Sequence, residues 1–275
     1  MANQIVPFEE FNRVYIEASN EILKFITRDL QEKIALHNYG WSPGLFDFRK
    51  YFDCSGMRYY IPYRQFIEGE TVCDVGGMYG VFPITLKRLG FKVTMTEALQ
   101  YYSDAFNPLF DYIRSQGIEI IDFDPFEEGA TLPQKFDYIT VMAVLEHYPH
   151  SLKVFMKNVI GLMKPKSGLY IEVPNVAFLG RRAHMLIGRT PYTPLVNIWK
   201  SEIPFIGHHH EFTMSELKDL AALAGLDVSA EFFYNYWRGD YKKLGYILRR
   251  PHESLVFALF PDTRECLSIM CRQRN

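Results

Sequence analysis

Cysteine is scarce in this chain: only Cys54, Cys73, Cys266 and Cys271 occur among 275 residues, scattered and without metal-ligand pairing. That pattern excludes a disulfide framework and a thiolate metal cluster, and the four read as reduced core or surface thiols. Long apolar runs are lacking too. No window reaches the length a bilayer span requires, and residues 1–7 carry neither a basic start nor an apolar stretch, so a soluble, cytoplasmic protein without a membrane span is expected. Charge of one sign is also missing. A net charge of −2 excludes the electropositive surface of a general nucleic-acid binder. Neither internal repeats nor low-complexity segments occur, and the 48% apolar content is enough to bury one large core.

What the chain does contain is a short apolar run that ends in an acid and a glycine-rich turn, Thr71-Val72-Cys73-Asp74-Val75-Gly76-Gly77-Met78-Tyr79-Gly80. A strand feeding such a turn and then a helix sets backbone N–H groups and a positive helix end beside a ligand. Gly76 and Gly77 permit the sharp turn, and Gly80 is expected to let the ligand approach the first helical turn. Residues 81–89 read as that helix, with Pro83 tolerable only in its first turn. The order is D-x-G-G-x-x-G and not the dinucleotide G-x-G-x-x-G. A carboxylate there suits a ligand bearing an ammonium and hydroxyls better than a pyrophosphate, because two anions repel. A second strand over 91–97 ends in Glu97, whose carboxylate can accept both ribose hydroxyls.

These residues resemble the class I S-adenosylmethionine-dependent methyltransferases, and the likeness extends along most of the chain. Asp74, Gly76 and Gly80 look like motif I, and Glu97 looks like the acid of motif II. Residues 118–124 resemble the third strand, whose terminal acid, Asp122 or Asp124, meets the adenine amine in that family. Residues 136–147, Phe136-Asp137 through Leu145-Glu146-His147, are similar to strand four and its following loop, where Ala143 falls on the cofactor side. Residues 162–175 look like the turn and strand five. Two departures stand out: Met78 where glycine is frequent, and Pro165-Lys166-Ser167-Gly168 where two small residues are usual. The resemblance implies S-adenosylmethionine as cofactor and an α/β, Rossmann-like sheet of order 3-2-1-4-5-7-6 with strand seven antiparallel and helices on both faces.

The remaining segments are read around that core. Apolar residues repeat at helical spacing from Phe8 to about Leu36, predicting one long or two abutting amphipathic helices. Their stripe can cover the core or pair across a homodimer. Turn formers at 37–44 break the pattern, and residues 1–65 are taken as an N-terminal cap ahead of a methyltransferase domain over 66–275. Residues 176–212, with Pro191, Pro194 and Pro204, lack core periodicity and are expected to form a lid. Thr213-Met214-Ser215-Glu216 is a capping-box sequence, and Gly225 closes the helix that follows. Strands six and seven are placed at 226–233 and 265–271.

Methyl transfer needs a nucleophile held in line with the sulfonium carbon, and a neutral histidine beside a hydroxyl can take its proton. His147, at the end of the sheet where ligands bind in open α/β folds, and His208 and His209, at the end of the lid, are the catalytic candidates. Three consecutive histidines point in different directions, so no metal site is expected from the triplet. Glu146 and His210 are candidate substrate contacts, and Arg181 and Arg182 are expected to meet an anionic acceptor. Arg58 is expected to pair with the carboxylate of the cofactor's methionine portion. Asp137 reads as a solvated turn residue. The stretch from Leu179 to Thr213 looks like methyltransferases of bacterial polysaccharide and lipid-linked glycan pathways, which favours O-methylation of a sugar or another hydroxylated metabolite. Phenolic, quinone and amine acceptors are the alternatives. A non-catalytic cofactor- or partner-binding protein of the same fold is the reading from another class, and a nicotinamide-dependent oxidoreductase lacks its glycine spacing.

Overall fold

Five runs rich in β-branched and aromatic residues make a parallel sheet, and two later runs extend it, the last in chain order inserting antiparallel between the fifth and the sixth. The computed structural model of the chain describes residues 5–32, 46–66, 71–201, 205 and 207–274. Its strands are β1 (Thr71–Val75), β2 (Lys92–Glu97), β3 (Glu119–Asp122), β4 (Phe136–Met142), β5 (Met163–Pro174), β6 (Leu226–Tyr234) and β7 (Cys266–Gln273). They form one sheet of order β3-β2-β1-β4-β5-β7-β6, parallel except for β7, which runs antiparallel to both β5 and β6. This is the topology that the family resemblance implied.

The strands alternate sides with period two, so each face gathers its own core. Val72, Tyr138, Tyr170 and Met270 face one side, under α1 (Phe8–Ile22), α2 (Phe48–Tyr63), α3 (Val81–Arg88) and α4 (Asn107–Ser115). Cys73, Ile139, Leu169 and Ile269 face the other, under α5 (Leu152–Ile160) and α8 (Met214–Leu223). The apolar stripe of α1, including Phe11, Tyr15, Ala18 and Ile22, is fully buried within its own chain, which leaves that face unavailable for a homodimer. The cap segment thus shares a core with the sheet. The turn formers expected at 37–44, and Pro204, lie outside the described residues.

Between β5 and β6 run α6 (Leu179–Leu186) and α7 (Leu195–Lys200), neither with a buried residue, so the region read as a lid is helical in part and joins the core at its end, through Phe212. α8 carries the expected capping box, with Thr213 and Glu216 bonded reciprocally, and Gly225 follows it at φ 75°. α9 (Leu244–Arg249) and α10 (Pro251–Leu259) fill the link to β7. Among the described residues no helix is long and apolar enough to cross a membrane. Asp137 corrects the expectation of a solvated turn: it accepts from the Thr71 backbone N–H at 3.0 Å and from Lys164 Nζ at 2.9 Å, tying β1, β4 and β5 together.

The glycine-rich turn is also built differently from its expected purpose at one position. Gly80 has φ 67°, and a Cβ there would lie 2.5 Å from Cδ1 of Ile113, itself wholly buried on α4. Its missing side chain makes room for that helix and not for a ligand. Gly80→Ala is expected to lower stability by about 2 kcal/mol, from the left-handed conformation plus overpacking, read as a lower urea midpoint at unchanged slope.

Candidate active site

The C-terminal ends of β1, β2, β4 and β5 open into one cavity of about 540 Å³, a size suited to a small ligand. Open α/β sheets bind ligands at this edge because the chain departs to opposite faces on either side of β1. Met78 and Glu97, joined by a hydrogen bond at the glycine-rich turn, line one part of the cavity, and Glu146, His147 and His208 form a cluster in another; Gly76, Asp124 and the rings of Tyr51, Tyr236 and Trp237 line it as well.

At the glycine end the turn is locked by hydrogen bonds. The backbone N–H of Met78 donates to Glu97 Oε1, and the Tyr102 hydroxyl donates to Glu97 Oε2 at 2.6 Å. Met78 sits at φ 47°, a conformation that favours glycine, which accounts for the glycine frequent there in the resembled family. Burial raises the Glu97 carboxyl to about 7, with the Tyr102 and Met78 donors pulling the other way. Asp74 lies beneath this turn and is not on the cavity wall. It is buried, accepts from Thr140 Oγ1 at 2.5 Å and is raised by burial to about 7. A Cβ on Gly77 would come within 2.8 Å of the Asp74 carboxylate, so that glycine exists to fit the acid under the turn. Gly76, at φ 70°, alone of the three glycines lines the cavity.

The two acids at and just after the end of β3 separate. Asp122 accepts from the Leu99 backbone N–H at 3.0 Å, away from the cavity. Asp124 lines the cavity, accepting from the Phe126 N–H and from Gln100 Nε2. Arg58 also reaches the cavity wall, yet its guanidinium is engaged within the protein, 2.6 Å from Glu172 Oε2 and 3.1 Å from the Tyr51 hydroxyl. The expected pairing with a ligand carboxylate is therefore replaced by a buried ion pair with β5.

At the other end Ala143, at φ 54°, turns the chain after β4, and a 3₁₀ turn over Leu145–His147 follows. Glu146 is wholly buried, and burial with the neighbouring Glu172 charge raises its carboxyl to about 8. The His147 and His208 rings meet edge to face, 4.8 Å between centroids. His208 is held neutral, its imidazole pushed down to about 3 by burial and by the His147 and Arg181 charges. A base so weak is a poor resting place for a substrate proton, so His208 serves better as an orienting or ligating group.

Four further expectations are corrected. His209 is exposed, its Nε2 2.9 Å from the Phe205 carbonyl oxygen, and it does not line the cavity. His210 is exposed beside Glu216, 3.5 Å away. Arg181 pairs with Glu211, and Arg182 with Asp262 at 2.7 Å, so neither is turned to an anionic acceptor. Arg182 meets Asp262 at the surface, where a long side chain reaches a neighbouring acid at little cost, whereas Arg181 compensates the buried Glu211.

Tyr102, Thr140, Glu172 and Glu211 are site residues that motif reading missed. Glu172 alone left a signal, as a carboxylate in the middle of the apolar run Leu169–Val173, where a buried charge demands a partner.

Residues 48–231 match the profile of a family described as a methyltransferase domain. No protein of curated function matches the chain in sequence. Among solved structures, a S-adenosylmethionine-dependent methyltransferase from Methanosarcina mazei is similar at 17% identity and TM-score 0.51, covering 78% of this chain and 96% of its own. A Galdieria sulphuraria protein named for sarcosine and dimethylglycine methylation has 13% identity and TM-score 0.52, covering 86% and 93%. At those identities the likeness concerns the fold.

Proposed function

The chain belongs to the methyltransferase-domain family, and from that premise we propose that it transfers a methyl group from S-adenosylmethionine to a hydroxyl of a small molecule, a sugar or another hydroxylated metabolite. The observation that carries this reading is a single cavity whose lining includes both Glu97 and Gly76 of the turn region and the cluster of Glu146, His147 and His208. The residues fit the cofactor. Glu97 keeps acceptor capacity on both oxygens for a ribose diol, and we assign Asp124 and Phe123, which line the same cavity, to the adenine. When bound, the cofactor supplies a sulfonium methyl whose carbon–sulfur bond breaks as the acceptor oxygen forms its bond to carbon.

The protein's own contribution is positioning and exclusion of water, which supply much of the rate in such displacements. Tyr51, Tyr236 and Trp237 offer flat apolar faces to a ring, the packing a sugar or a phenol prefers. The acceptor hydroxyl is placed against the cluster of Glu146, His147 and His208, and its proton leaves to solvent as the oxygen–carbon bond forms. A phenolic acceptor is the second reading, favoured by the same aromatic wall.

Titration calorimetry with S-adenosylhomocysteine is expected to show one site per chain, and no binding would overturn the reading. Assay of methyl transfer to panels of free sugars, sugar nucleotides, phenols and amines is expected to show turnover with a hydroxylated acceptor. Turnover confined to amines would overturn the hydroxyl assignment, and binding without any turnover would favour a non-catalytic protein of this fold.

A further inference from the structure

Two segments far apart in the chain bring three metal-ligating side chains to one wall of the cavity. Glu146 and His147 come from the 3₁₀ turn after β4 and His208 from the loop before α8, and their ligand atoms all lie within 4.8 Å of one another. The segments are stitched by backbone: the N–H groups of His209 and His210 both donate to the Glu146 carbonyl oxygen, at 2.8 and 3.3 Å. The cluster is therefore set before any ligand arrives.

Glu146 is wholly buried, lines the cavity, and has no hydrogen-bond partner on either carboxylate oxygen among the described residues. An acid in that setting is costly unless positive charge compensates it. His208 shows where that charge belongs. Its Nδ1 lies 2.7 Å from Glu211 Oε1, and Glu211 is held as an acceptor by Arg181, so Nδ1–H donates to Glu211 and Nε2 carries the lone pair. That lone pair faces Glu146 Oε1 across 3.9 Å. The two ligand atoms thus stand at a distance too long for a hydrogen bond. Two ligand atoms on one ion, each at about 2.1 Å, stand at most about 4.2 Å apart, so the 3.9 Å gap fits and the widest separation closes with a small side-chain torsion. A carboxylate on the far nitrogen of a histidine is also how proteins orient metal-binding imidazoles.

We propose that Glu146, His147 and His208 form a binding site for a divalent transition-metal ion at the acceptor end of the cavity. Two imidazoles and one carboxylate suit manganese, cobalt or zinc over magnesium or calcium, which prefer oxygen ligands. The ion's remaining positions open on the cavity, where a hydroxylated acceptor can bind and lose its proton to water more readily. That use rests on the methyl-transfer reading, whereas binding of the ion does not.

The test uses the metal-stripped full chain with no cofactor present, titrated with Co²⁺ alone. One equivalent is expected to bind with a visible d–d band, and Glu146→Gln and His208→Gln are each expected to weaken binding by more than about tenfold. The double variant H209A/H210A, which removes the two exposed imidazoles, is expected to bind as the wild type does. Binding that survives Glu146→Gln and His208→Gln, or that disappears with H209A/H210A, overturns the site. Should a variant fail to fold, the wild-type titration decides, because absence of a one-to-one d–d band overturns the site by itself. S-adenosylhomocysteine titrated into the stripped chain separates the two readings: cofactor binding without cobalt uptake sinks only the metal, and cobalt uptake without cofactor binding sinks only methyl transfer.

Discussion

Arg58→Ala is expected to destabilise the protein by about 3–5 kcal/mol, the largest effect of any single substitution at the site. Arg58 and Glu172 are both buried, 6% and 1% exposed, so water cannot take over when one partner is removed. The Glu172 carboxylate would then stand in the core between β4 and β7 with its charge uncompensated. Tyr51 would lose its partner as well, loosening the aromatic wall. Chemical denaturation reads the effect as a fall in the urea midpoint. A double replacement of Arg58 and Glu172 by methionine and leucine is expected to recover most of the loss, because exchanging a buried pair for apolar residues is often neutral. A midpoint unchanged in Arg58→Ala would mean that the pair is solvated.

Glu97→Ala is expected to weaken binding of S-adenosylhomocysteine by at least about 100-fold, because two hydroxyl hydrogen bonds to an ionised acceptor are each worth about 1.5–3 kcal/mol. The pH dependence distinguishes this residue from a bystander. Burial raises Glu97 from 4.5 to about 7, and Asp74 from 3.8 to about 7. The folded state therefore holds protons that the unfolded chain has already released. Their favourable contribution to folding is complete below about pH 4 and is lost as pH rises through about 7, so the unliganded protein is expected to melt at a higher temperature at pH 6 than at pH 8. Binding runs the other way. A ribose diol needs the ionised form of Glu97, so affinity is expected to tighten from pH 6 toward 8 by up to about tenfold and then level off. Glu97→Gln flattens that profile. Calorimetry across this range, paired with thermal melts, checks both slopes, and a pH-independent affinity in the wild type would remove Glu97 from the ribose contact.

Much of the sheet was legible because its signals are local. The first three parallel strands are brief runs closed by an acid or a glycine, and Thr213 with Glu216 announces α8 by a cap that depends on four residues alone. The acceptor end was less legible. His147 and Glu146 stand out by their place after β4, but nothing in the spacing of 208–210 tells which imidazole turns inward, since that depends on the backbone bonds from residues 209 and 210 to Glu146. Arg58, Arg181 and Arg182 were read as ligand contacts because charge is visible in a sequence and its partner is not. Gly80 shows the same limit: the turn needs glycine, but the atom that demands it belongs to Ile113 on another helix.

β6 reaches the rest of the sheet only through β7, although β7 follows it in the chain with two helices between them. On the ribosome, β1 to β5 can therefore pair as they emerge, whereas β6 must wait for a partner not yet synthesised, and β5 meanwhile shows a bare apolar edge. A pause or premature stop before Cys266 would leave that edge open to a second nascent chain, making the last strand a closing latch against misassembly.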